Sequence, residues 1–180
     1  MPSKLVRSVI AAVAASAILV GCGGSSKVSA RDYASSVCTA TGTWVKNIQA
    51  ESQQMASAIT GSPANGKQEI SKFLNQVIGQ TDTLISKLKD AGTPDVTNGD
   101  RIATTFLNAF EQAKTGLESL RGDVSNLPTN DPAAFATAAK KLSDKITQVF
   151  NRADTAMGGL KSPELEKAGN GVKACQSLGS

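Results

Sequence analysis

The chain has 180 residues, with 19 lysines and arginines against 15 aspartates and glutamates, for a formal charge of +4. It contains no histidine, which removes the commonest general base, the commonest metal ligand and the usual activator of a serine or cysteine nucleophile. So small a positive excess, spread along the chain, also argues against a nucleic-acid partner, which needs clustered lysine and arginine.

The first residues read in three parts. Lys4 and Arg7 form a short positive region, and an uncharged run from Val9 to Val20 follows. Twelve residues suit the apolar region of a signal peptide and fall short of the roughly 18–20 that a membrane-spanning helix needs. The run closes in Leu19-Val20-Gly21-Cys22, which resembles the bacterial lipobox. That resemblance implies cleavage between Gly21 and Cys22, diacylglycerol on the Cys22 sulfur, and a mature protein held on the outer face of the cytoplasmic membrane. One acyl chain binds a membrane marginally and two or three bind it durably, at about 0.8 kcal/mol per buried methylene. The alternative is an ordinary secretory signal with a chance cysteine beside its cut site.

Removing residues 1–21 takes Lys4 and Arg7 away and leaves 159 residues, one domain by length, with 17 basic residues against 15 acidic. With Cys22 acylated, Cys38 and Cys175 remain in an oxidising compartment, the number needed for one bridge. Joining them closes a loop of 138 residues, for which the chain-entropy model gives about 5 kcal/mol. The alternative is two free thiols. No Cys-x-x-Cys occurs, so a zinc or thioredoxin-type site is unsupported.

Gly23-Gly24-Ser25-Ser26, continuing to Ser29, reads as a flexible tether over residues 22–29, with a root-mean-square reach of roughly 15 Å. The domain proper is expected over residues 30–180. A capping-box pattern at Ser29 and Asp32 opens a first helix, with Tyr33, Val37, Trp44, Ile48, Met55 and Ile59 on its apolar side. Gly61 to Gly66 breaks it, and Asn65 is the expected cap of the second helix. That helix carries the clearest face, with Ile70, Phe73, Leu74, Val77, Ile78, Leu84, Ile85 and Leu88 spaced three and four apart. Gly92-Thr93-Pro94 ends it. Thr97 with Asp100 reads as a capping box for a third helix running from Ile102 to Val124. Asp131 as cap with Pro132 at the first helical position starts the fourth, with Phe135, Leu142, Ile146, Val149, Phe150 and Met157 on one face. Ser162-Pro163-Glu164 caps a shorter helix carrying Cys175. Strand signals are nearly missing. The expected fold is all-α: an antiparallel four-helix bundle with a short C-terminal helix and one Cys38–Cys175 disulfide.

Candidate chemistry is sparse. Tyr33 and Trp44 lie three helical turns apart, and with Phe73 they are the candidate lining of a pocket for a small apolar ligand; core packing is the competing explanation. Pro94 to Asp100 faintly resembles a calcium loop, but the position that should supply the bidentate glutamate is Phe106, so helix capping explains it. Lys140, Lys141 and Lys145 form the only local basic cluster and read as a solvated helix face. Gly42, Gly79, Gly116 and Gly122 either permit close helix approach or mark kinks. No catalytic residue, cofactor or metal site is expected.

Several elements occur together: the lipobox, Tyr33 to Cys38, the Gly92-Thr93-Pro94 break, Leu127-Pro128-Thr129 before Asp131 to Phe135, and Ala174-Cys175. The set is similar to a group of small secreted proteins and lipoproteins of high-GC Gram-positive bacteria. The resemblance implies the envelope compartment and the two-cysteine frame, and brings no activity. The expected function is a non-enzymatic, membrane-anchored binding module for an envelope protein or polymer. The alternative is a carrier of a small apolar ligand or lipid between the helices.

Overall fold

The computed structural model describes residues 27–58, 61–158 and 161–178. The signal-like segment, Gly21, Cys22 and the tether up to Ser26 lie outside the described residues, as does Ile59.

Four long antiparallel helices make the bundle: α1 (Ala30–Ala58), α2 (Pro63–Asp90), α3 (Gly99–Ser119) and, after the short α4 (Arg121–Ser125), α5 (Pro132–Gly158). Two short helices, α6 (Pro163–Asn170) and α7 (Lys173–Gln176), close the chain over α1. The helices start where short polar side chains free the first turn. Ser29 accepts a hydrogen bond from the Asp32 amide at 3.1 Å and donates one to its carboxylate at 2.7 Å, as expected. Asp131 accepts from the amides of Ala133 and Ala134 ahead of Pro132. Ser162 caps α6 by accepting from the Leu165 amide.

Two caps differ from expectation. Ser62, not Asn65, caps α2, because Pro63 fills the first helical position and leaves the Asn65 amide as the donor to Ser62. At α3 the cap is Asn98 in the left-handed region at φ 59°, with no side-chain capping bond. Asparagine is among the few residues that tolerate that region. Thr97, expected to cap α3, instead binds Glu164 of α6 through its amide and hydroxyl, both at 3.2 Å. The helix expected as far as Val124 is interrupted at Leu120, and the one expected to carry Cys175 breaks at Gly171.

The folded part also reaches further towards the amino terminus than the expected start at residue 30. Lys27 and Val28 form a two-residue strand, β1, parallel to β2 (Thr93–Pro94), and the Asp95 amide donates to the Val28 carbonyl at 2.7 Å. The tether reading thus loses its last three residues to the fold: Lys27 and Val28 to the strand, Ser29 to the cap.

The core divides along the bundle axis. One half gathers Ile70, Leu74, Val77, Leu117, Val124, Phe135 and Leu142. The other gathers Tyr33, Val37, Leu84, Leu88, Ile102 and Phe110. Trp44 joins them. Its ring meets Phe110 of α3 edge-to-face at 5.5 Å and Phe150 of α5 at 5.6 Å, and its indole N–H donates to the Thr81 hydroxyl of α2 at 3.2 Å. Thr81 is fully buried and passes its own proton to the Val77 carbonyl, so the chain of hydrogen bonds is complete.

The helix glycines fall into different classes. A Cβ on Gly116 would meet the Val149 methyls at 3.0 and 3.1 Å, so this glycine permits the close approach of α3 and α5. A Cβ on Gly79 or Gly122 would meet nothing within 4 Å. Gly79→Ala is therefore expected to stabilise the protein by about 0.5–1 kcal/mol through the unfolded chain's entropy and helix propensity. In urea unfolding its midpoint rises at unchanged slope, whereas Gly116→Ala shows no such gain.

Candidate functional site

Among the described residues there is no group of three histidine, cysteine, aspartate or glutamate side chains able to hold a metal ion. No helix among them is long and apolar enough to cross a membrane. Lys140 and Lys145 of the basic cluster are exposed and ion-paired with Asp144 and Asp123 at 3.3 and 2.8 Å. What remains is concave surface.

An apolar cavity of about 620 Å³ opens between α1, α3, α6 and α7. Tyr33, Val37 and Cys38 of α1 form its floor, Ile102 and Phe106 of α3 one wall, and Leu165 of α6 with Cys175 of α7 the other. Each short helix buries no residue of its own. This wall is tied down by the Cys38–Cys175 disulfide, with Cα atoms 4.9 Å apart, and by the Glu164–Thr97 clasp. The expected disulfide therefore also builds one side of the chamber.

Tyr33 is 4% exposed and lines this space, yet its hydroxyl has no hydrogen-bond partner among the described residues. Burial pushes its pKa up from 10.0 to about 12, so the phenol is neutral at physiological pH. A raised acid pKa favours folding fully below pH 10 and loses that contribution as pH climbs through 12, because the unfolded chain ionises first. Over that interval the parent is expected to lose stability relative to Tyr33→Phe in chemical unfolding at graded pH; a pH-independent difference contradicts the buried phenol.

A second groove, of about 530 Å³, runs between α1 and α2 past Ser36, Thr39, Trp44, Gln80 and Lys87. Its lining is more polar, but the hydroxyls of Thr43 and Thr83 are spent on carbonyls one turn back in their own helices.

The three candidate pocket residues do not share a cavity. Tyr33 lines the disulfide-side chamber, and Trp44 sits at the bundle centre with one edge on the α1–α2 groove. Phe73 packs against the opposite half of the core. Helical spacing placed all three on apolar faces, but it carries no information on which end of a bundle each face covers. Ile102, Phe106 and Leu165 went unmarked as pocket residues because apolar residues of a chamber wall follow the same period as core.

Comparison with known proteins returns no match: no family model, no curated protein and no solved structure is significantly similar to the chain.

Proposed function

We propose that the protein is an extracytoplasmic lipoprotein of the cell envelope, cleaved after Gly21 and acylated on Cys22, acting by binding rather than by catalysis. Its partner is an envelope protein or polymer. The observation that carries this reading is the agreement of Lys4 and Arg7, the uncharged Val9 to Val20 run, and Leu19-Val20-Gly21-Cys22 in one short segment. The fold is compatible with a short leash. With β1 beginning at Lys27, only residues 23–26 separate the anchor from folded chain, a reach of roughly 12 Å. Under such an anchor the β1–β2 end of the bundle stands closest to the bilayer.

Cys22→Ala is expected to abolish incorporation of labelled fatty acid and to move the protein from the detergent-rich to the aqueous phase on partitioning. Unchanged partitioning overturns the anchor. Crosslinking in intact cells followed by mass spectrometry is expected to return a reproducible envelope neighbour, and recovery of abundant bystanders alone counts against the partner.

One observation favours a second reading, a carrier of an apolar ligand. The chamber beside Cys38–Cys175 has the size of ordinary ligand sites, roughly 300–1,000 Å³, and a mostly apolar lining.

A further inference from the structure

We propose that the chamber between α1, α3 and α6 binds a single-chain amphiphile with an uncharged, hydroxyl-bearing head; the proposal rests on the carrier reading and gives it a place and a ligand class. Three observations point to that chemistry.

The first is the wall. Val37, Ile102, Phe106 and Leu165 face one another across about 620 Å³, and apolar surface of this kind takes an apolar body. The second is a pair of chamber-lining hydroxyls, on two buried residues, with hydrogen-bonding capacity to spare. Tyr33, 4% exposed, has no partner for its hydroxyl among the described residues. Ser162, 8% exposed, accepts from the Leu165 amide, and its own proton has no acceptor among the described residues. Both hydroxyls line the chamber with hydrogen-bonding capacity the protein leaves unused, and a ligand hydroxyl satisfies both as donor and acceptor. The third is charge. Glu166 is the sole charged residue among those lining the chamber, so a carboxylate or phosphate head meets repulsion and no countercharge. A hydroxyl head meets neither.

The chamber's place in the fold agrees with a lipid-like ligand. Tyr33 and Ile102 belong to the first turns of α1 and α3, and Ser162 is the cap of α6. All three lie at the β1–β2 end of the bundle, the end to which residues 22–26 lead. An anchored chain therefore holds the chamber within a short leash of the bilayer, where such amphiphiles partition.

The test uses the full chain carrying Cys22→Ser, recovered oxidised and without detergent, so that the anchor plays no part. Native mass spectrometry and titration are run with 1-monopalmitoylglycerol, palmitate and hexadecane. One monopalmitoylglycerol per chain is expected, with palmitate at least about tenfold weaker. Tyr33→Phe is expected to weaken the glycerol ester by about five- to tenfold, the loss of one hydrogen bond, and to leave hexadecane unchanged. Phe106→Trp, at a half-buried position, fills the chamber and is expected to abolish uptake; Leu165→Trp does the same from the opposite wall if the first variant loses its helical circular dichroism. Palmitate binding as tightly as the ester overturns the proposed head chemistry while leaving a carrier in place. Uptake undisturbed by either tryptophan overturns the site. No uptake of any of the three overturns both the proposal and the carrier reading.

Discussion

Replacing Trp44 with alanine is expected to lower the free energy of unfolding by about 3–5 kcal/mol, the range for deleting a large buried aromatic. The side chain is only partly buried, so area alone would suggest less. Its position raises the cost. The indole touches Phe110 on α3 and Phe150 on α5, both edge-to-face, and binds Thr81 on α2. Each aromatic pair contributes about 0.5–1.5 kcal/mol beyond its buried area. Truncation also leaves the buried Thr81 hydroxyl without its donor, although its bond to the Val77 carbonyl survives. Urea unfolding followed by circular dichroism measures the change, since the variant lacks the chain's only tryptophan. A loss below about 1 kcal/mol would contradict the role of Trp44 as the joint between the two halves of the core.

Removing the disulfide by the paired substitutions Cys38→Ala and Cys175→Ala is expected to cost about 2–5 kcal/mol, towards the upper end because the sequence separation is 137 residues. The structural consequence is local as well as global. α6 has eight residues and α7 four, lengths at which an isolated helix does not persist in water, and neither buries a residue of its own. Without the bridge, the Glu164–Thr97 clasp and side-chain packing such as that of Leu165 remain to hold them against α1 and α3. Hydrogen exchange is expected to show lost protection across residues 163–176 at denaturant concentrations that leave α2 and α3 intact. Uniform loss across all helices would mean that the bridge acts on the unfolded chain alone.

The helices were legible in the sequence because each repeats its apolar residues at three and four, and because Asp131-Pro132 and Ser29 with Asp32 mark starts by local chemistry. The bridge was legible through cysteine number and its agreement with an even number of antiparallel helices. Two features were not. Thr97 does not cap α3, because the Glu164 carboxylate of α6, 67 residues away, takes its amide and hydroxyl, and Asn98 stands at the cap position. The β1–β2 pair is only two residues long, too short for any alternation to register. The chamber was half legible. Tyr33 stood out through its three-turn spacing from Trp44 on an apolar face, but Ser162 read only as a cap, and its place in the chamber lining depends on where α6 folds back. Trp44 and Phe73 shared the apolar faces of their helices without sharing the cavity.

The most direct measurement is the intact mass of the protein taken from its native host, before and after reduction and alkylation. The proposed lipoprotein lacks residues 1–21, carries added acyl mass on Cys22, and alkylates at Cys38 and Cys175 only after reduction. A mass that retains Met1 with no fatty acid would contradict the anchor, and with it the envelope role.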